Sequence, residues 1–334
     1  MAQKIFDYCG RFSVRMDSSD SLLERISGNI HKEILYPKKD GDSIVNIHEP
    51  DNYDVIIKDK RYPYSTFKVN PKSGDFEYYR YNTFVRSIKV VDDRKYEVKT
   101  NIDGDEASGL ICFRNYCNRH PSMENLQLVH ASLVELDGEG ILISGDSRSG
   151  KTTLMVYLME HLKAGIISED NVYLERDMQG LYFPKVPRVR FSTVRDSCLS
   201  PLLDNISETD ATQYWDLESI EELVSQGNLD VDGGLAISMR KVADMCGVNT
   251  NESTKIRKII FPFYSPRGLN FRNVSTKDGV AMLRGFGREK KKDIDPRDIA
   301  AYNVTLEDFD MQEIKFYSFG FGGFKDLVFE GFGL

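Results

Sequence analysis

Gly145-Asp146-Ser147-Arg148-Ser149-Gly150-Lys151-Thr152 is a tetrapeptide between two glycines, followed at once by Lys-Thr. Each residue type suits one task. Glycines adopt backbone angles that other residues resist and let a loop approach a ligand closely. Such a loop can turn its N–H groups inward, and a helix starting behind it adds its positive end, so the spacing suits an anion. A lysine placed there reaches the outer phosphates of a nucleotide, and a threonine hydroxyl beside it can ligate Mg²⁺. The expected ligand is a nucleoside triphosphate, ATP with Mg²⁺. Its expected contacts are Gly145, Asp146, Ser147, Arg148, Ser149, Gly150, Lys151, Thr152 and Thr153. Arg148 has two open readings, a phosphate contact or a solvent-facing charge.

Holding phosphate is not yet chemistry. Phosphoryl transfer also needs a carboxylate to position the metal and a group to orient or deprotonate the nucleophile. Glu169-Asp170 directly follows the apolar run Gly165-Ile166-Ile167. That places the pair at the carboxyl end of a strand, where open α/β sheets bind ligands. The other reading is a surface turn, for which Glu-Asp-Asn is also suited. Asp146 lies within the loop, where a carboxylate would repel phosphate unless it faced a metal or a base partner. His130 opens the strand one hairpin upstream, and a lone histidine is more often structural. Arg188 and Arg190 alternate, so one strand face would carry both. With Arg195 they form either a substrate-phosphate site or ordinary exposed charge.

The surrounding elements are those such a loop requires. Ile141–Ser144 precedes it as a strand, joined to the strand His130–Leu136 through Asp137-Gly138-Glu139-Gly140. A helix over Thr153–Leu162 comes next, then strands at Gly165–Ser168 and Val172–Leu174. Upstream, Leu110–Gln127 reads as a helix. Residues 1–105 read as a small antiparallel β region, with hairpins about Asn70–Gly74 and Asp92–Arg94 and a strand over Tyr53–Ile57. Residues 203–256 read as acidic and mostly helical, with a break at Asp230–Gly234. Lys258–Pro262 reads as a late strand ending at the proline, and Ser275 as the cap of a helix to Leu283. The charged run Arg288–Asp293 reads as a solvated loop, and Phe316–Phe324 as a packed edge strand or a contact surface. Two domains are expected, 1–105 and 106–334.

Composition narrows the classes. Of 334 residues, 40% are hydrophobic and 29% charged, the balance of a soluble globular protein. A net charge of −8 argues against a general nucleic-acid binder. Five cysteines without CxxC spacing indicate neither a disulfide framework nor a zinc site, and buried free thiols are expected. The N-terminus lacks the apolar core of a signal peptide, and no stretch has the length of a membrane span. A cytoplasmic protein without membrane contact is expected.

Taken together, His130-Ala131-Ser132-Leu133-Val134, the loop through Thr153-Leu154 and Ile167-Ser168-Glu169-Asp170 resemble the catalytic domain of HPr serine kinase/phosphorylase and its relatives. Lys258–Pro262 and the helix near Ser275–Leu283 extend the likeness, which covers about residues 108–285. The resemblance implies an α/β, phosphoenolpyruvate-carboxykinase-like P-loop domain behind an N-terminal β-rich region. It implies transfer of phosphate from ATP, or in some members pyrophosphate, to a hydroxyl. Lys151 and Thr152 would then hold phosphate and Mg²⁺, and Asp146 would be the loop acid. Glu169 and Asp170 would be the paired acids, one an acid/base and the other near the metal, with Asp170 the metal-side candidate. His130 would join the catalytic set. Two departures stand out: Glu169 replaces the usual first Asp, and Arg148 stands where the family usually has Gly.

The expected activity is a kinase acting on a hydroxyl of a small molecule or of a protein or peptide serine, in a chain compatible with homo-oligomerisation. The alternative is a nucleotide-binding accessory module with little turnover. An ATPase or GTPase switch is disfavoured because the sequence has no NKxD-like guanine-reading motif and no hydrophobic Walker B strand ending in a lone Asp.

Overall fold

The structure is a computed structural model. It describes residues 2–9, 11–18, 23, 24, 27, 33, 34, 43–47, 56–58, 65–69, 76–80, 83–92, 95–100, 126–204, 234–266, 268–286 and 309–327. The chain separates into two compact units, Met1–Glu124 with Glu289–Tyr302, and Asn125–Arg288 with Asn303–Leu334.

Among its described residues the first unit carries nine strands: β1 (Ala2–Tyr8), β2 (Phe12–Ser18), β3 (Glu33–Ile34), β4 (Ser43–Ile47), β5 (Ile56–Lys58), β6 (Ser65–Val69), β7 (Phe76–Arg80), β8 (Thr83–Asp92) and β9 (Lys95–Thr100). Both hairpins read from the turn residues are present, β6 with β7 and β8 with β9. The sheet is nevertheless mixed rather than antiparallel, because β4 pairs in parallel with both β2 and β9. Turn residues report only neighbours joined by short connections, and parallel partners are distant in the chain. Of the Tyr53–Ile57 run, Ile56 and Ile57 fall in β5, and the rest lies outside the described residues.

The second unit is mixed α/β. Its elements are β10 (Gln127–Val129), β11 (Ala131–Leu136), β12 (Glu139–Ser144), α1 (Lys151–Leu162), β13 (Gly165–Ser168), β14 (Val172–Leu174), β15 (Gln179–Tyr182), β16 (Arg188–Arg190), α2 (Phe191–Asp196), β17 (Gly234–Ala236), α3 (Met239–Cys246), β18 (Ser253–Tyr264), β19 (Asn270–Val274), α4 (Thr276–Gly285) and β20 (Lys315–Phe321). The main sheet runs β10-β14-β15-β18-β12-β11-β13, and β20 pairs with both β18 and β19. Ile141, Leu142 and Ile143 of β12 are all fully buried. A continuous apolar run of this kind suits a strand covered on both faces. The β11–β12 turn is the two residues Asp137 and Gly138, both at positive φ (53° and 80°), which matches the right-handed twist of its strands. Helix α1 begins at Lys151, two residues earlier than the apolar pattern indicates, and buries Leu154 through Met159 in succession.

Several expectations change. The expected helix over Leu110–Gln127 is not helical where it is described: Gln127 opens β10, which pairs with β14; residues 110–125 lie outside the described residues. His130 occupies the bend between β10 and β11 rather than opening one strand. Strand β18 runs through Pro262 to Tyr264. Pro262 lies past the last pair with β12, Ile143↔Ile260, so on that side its missing N–H breaks no ladder. The Phe/Gly-rich β20 is interior, between β18 and β19, not an edge strand. Gly320 makes this feasible, since a Cβ there would lie 2.5 Å from the Phe263 ring. Of the region 203–256, residues 205–233 lie outside the described residues, and residues 234–256 form β17, α3 and the start of β18. The charged run 288–293 also lies outside the described residues.

Ser275 caps α4, its Oγ accepting from the Asp278 N–H at 3.2 Å. Among the described residues no cysteine forms a disulfide, and the Cys198 and Cys246 sulfurs lie 3.0 Å apart; Cys112 and Cys117 lie outside the described residues. Among the described residues no helix is long and apolar enough to cross a membrane.

Candidate active site

Strand directions bring the candidate residues to one edge. Strand β11 is antiparallel to both β12 and β13, pairing Ala131 with Ser144 and Leu133 with Ser168. The carboxyl ends of β12 and β13 therefore share an edge with the amino end of β11. Gly145 leaves β12 there, Glu169-Asp170 leaves β13, and His130 enters β11. Strand β18 is parallel to β12, and β20 to β18, so Pro262–Tyr264 and Phe321 end on the same side.

The loop joins β12 to α1 in the conformation its glycines allow. Gly150 is the N-cap residue at φ 100°. A Cβ at this position would lie 2.6 Å from Phe321 Cζ, so only glycine lets the tail's ring pack against the loop. Arg148 also has positive φ (68°), a region that disfavours side chains with a Cβ. This is the position where the resembled family carries glycine, and Arg148 adopts the glycine-like conformation there. The first turn of α1 has no acidic residue, which keeps its positive end available to an anion. Ser149 Oγ is buried without a hydrogen-bond partner. Lys151 is 7% exposed and donates to the carbonyls of Gly145 (2.8 Å) and Asp146 (2.7 Å), which places its ammonium across the loop. Asp146, Ser147 and Arg148 are exposed at the rim. Thr153 shares a 2.8 Å hydrogen bond with Thr193 of α2, so its hydroxyl is engaged away from the loop.

The two acids meet different partners. Thr152 Oγ1 donates to Glu169 Oε1 at 2.7 Å. Glu169 is 6% exposed. Burial pushes its carboxyl up to about 7, the Asp170 charge adds to the rise, and Lys185, Thr152 and Lys151 oppose it. His130 Nε2 lies 2.8 Å from Asp170 Oδ1, and Lys185 Nζ pairs with the other Asp170 oxygen. This divergence has a backbone cause. Asp170 has φ 62°, and the Asn171 N–H donates to the Glu169 carbonyl at 2.8 Å, closing a tight three-residue turn. Uncommon backbone of this kind clusters at functional sites. His130 is fixed through its own backbone: its carbonyl accepts from Ser144 Oγ at 3.1 Å and its N–H donates to the Phe286 carbonyl at 3.3 Å.

Sequence reasoning missed Lys185, a lysine in the segment Phe183-Pro184-Lys185-Val186-Pro187. Its flanking prolines, which restrict the backbone, were the available signal. Arg188 and Arg190 are exposed on one face of β16, while Arg195 lies in α2 and pairs with Asp196.

The residues fit Mg²⁺ in one respect that can be checked. Among the described residues no three His, Cys, Asp or Glu side chains converge as a metal cage. Mg²⁺ is held by one or two carboxylates together with substrate phosphates and water, and the adjacent oxygens of Thr152 and Glu169 are a donor set of that kind.

No family model matches the chain, and no curated protein matches it. Among solved structures it is similar to the Hpr(Ser) kinase/phosphatase from Coxiella burnetii, with 12% sequence identity, 58% of this chain and 85% of that chain covered, and a TM-score of 0.24. At this level of similarity only the chain's own residues bear on function.

Proposed function

We propose that the chain is a phosphotransferase that moves the terminal phosphoryl group of ATP to a hydroxyl acceptor. The observation that carries this reading is one sheet edge presenting a phosphate-type loop, a buried carboxylate bonded to the loop threonine, and a separate His–Asp pair.

The partners of each residue set its role. Loop N–H groups and Lys151 bind the phosphates. Thr152 and Glu169 would hold Mg²⁺, whose charge, when bound, offsets that on the phosphate oxygens. This gives Glu169 the metal-side role, rather than Asp170, because Glu169 is the acid bonded to Thr152. Asp170, oriented by His130 and Lys185, accepts the acceptor's proton. The acceptor oxygen bonds to the γ-phosphorus as the bond to the β-phosphate oxygen breaks, giving a phosphate ester and ADP. Positioning and charge supply most of the rate in such reactions.

The test is transfer from γ-labelled ATP in Mg²⁺ to an extract fractionated into small molecules and proteins, beside Lys151→Ala. Label that enters one fraction, and is lost in the variant, establishes the kinase and the acceptor class. ATP binding without label transfer would leave a nucleotide-binding module in its place.

A further inference from the structure

The loop has a second neighbour that the transfer chemistry does not use. A cavity of about 340 Å³ opens beside Gly145–Ser149, walled by Phe261, Phe263 and Tyr264 at the end of β18 and by Met282 and Phe286 of α4 and its end. Its size lies at the small end of ligand pockets. Phe263 and Tyr264 are 38% and 68% exposed, so aromatic surface remains uncovered at the rim. The Phe263 ring lies against Gly320, which has no side chain to displace it. Phe261 stacks on Phe316 with an interplanar angle of 7° and touches Phe286, so the inner wall is held by its own ring contacts.

The position of the cavity selects its ligand. Strand β12 has β11 and then β13 on one side and β18 on the other. Lys151, Thr152 and Glu169 reach the outer phosphates and the metal, and Glu169 and Asp170 belong to the β11–β13 side. None of Lys151, Thr152, Glu169, Asp170 and His130 lines the cavity. A nucleotide whose terminal phosphate faces the carboxylates leads its nucleoside away from them, toward the end of β18. Flat aromatic walls suit a flat heterocycle, since every base has a π-face to stack.

We propose that this cavity is a nucleobase site, in which Phe263 and Tyr264 stack the base of the nucleotide whose phosphates lie in the loop. The proposal rests on the phosphotransferase reading only for the presence of a nucleotide.

The experiment compares two probes, ATP and inorganic tripolyphosphate, each with Mg²⁺, by calorimetric titration of the full chain. The wild type is expected to bind ATP more tightly than tripolyphosphate. Phe263→Ala and Tyr264→Ala are expected to weaken ATP about tenfold each while leaving tripolyphosphate unchanged, and Phe263→Trp is expected to keep ATP affinity. Melting curves report whether each variant folds, and Tyr264, the more exposed of the two, keeps the test available if Phe263→Ala does not. Equal ATP affinity in wild type and Tyr264→Ala would overturn the base site, as would equal weakening of both probes or wild-type ATP binding no tighter than tripolyphosphate. A wild type that binds neither probe would overturn the nucleotide reading itself.

Discussion

The Thr152 hydroxyl donates a 2.7 Å hydrogen bond to Glu169, joining the first turn of the loop helix to the end of β13. The carboxyl is almost fully buried, and burial pushes it up to about 7 from an ordinary value of 4.5. A folded-state value above the unfolded one means that stability is fully present below about pH 4.5. It is lost as pH rises through about 7. Glu169→Gln removes that loss. In metal-free buffer the variant is expected to gain roughly 2 kcal/mol over wild type between about pH 5.5 and about pH 8.5. Urea melts of both proteins at about pH 5.5 and about pH 8.5 check this; parallel pH responses would refute the buried-acid account.

Lys151 donates to two loop carbonyls, and in the proposed function its ammonium binds the phosphates. Lys151→Met keeps the stem's volume and removes the charge. ATP and tripolyphosphate are both expected to bind roughly 10–100-fold more weakly, the range for a hydrogen bond to a charged group. Calorimetric titration measures it, and undiminished tripolyphosphate affinity would remove Lys151 from the site.

His130 Nε2 and Asp170 Oδ1 lie 2.8 Å apart, and in the proposed reaction they act as one unit. His130→Ala and Asp170→Asn are each expected to lower kcat about 10²–10⁴-fold with ATP affinity little changed. The double variant should be hardly worse than either single one. Additive losses in kcat would mean that the two residues serve separate steps.

Gly150 has φ 100°, and a Cβ there would meet the Phe321 ring at 2.6 Å. Gly150→Ala combines backbone strain with overpacking, together roughly 3 kcal/mol. A clear fall in melting temperature is expected, partly restored by adding Phe321→Leu. No rescue by the second change would show that the strain is in the loop alone.

Much of the site was legible because its parts are short in the chain. Gly145–Thr152 sits between a buried strand and a helix, and Glu169-Asp170 ends a strand, because glycine spacing, apolar runs and turn residues act over a few positions. The Ser275 cap and the two N-terminal hairpins were readable for the same reason. Tertiary structure decided which acid meets which partner. The tight turn at Asp170 sends Glu169 to Thr152 and Asp170 to His130, a divergence that two adjacent carboxylates do not announce. Lys185 joins that cluster from another loop. Phe321 comes from the tail to lie against Gly150, and β20 is an interior strand because it pairs with both β18 and β19. The parallel pairs of β4 and the aromatic cavity beside the loop belong to the same class. Each depends on contact between residues far apart in the chain, where local propensity carries no information and only packing of the whole sheet selects the partner.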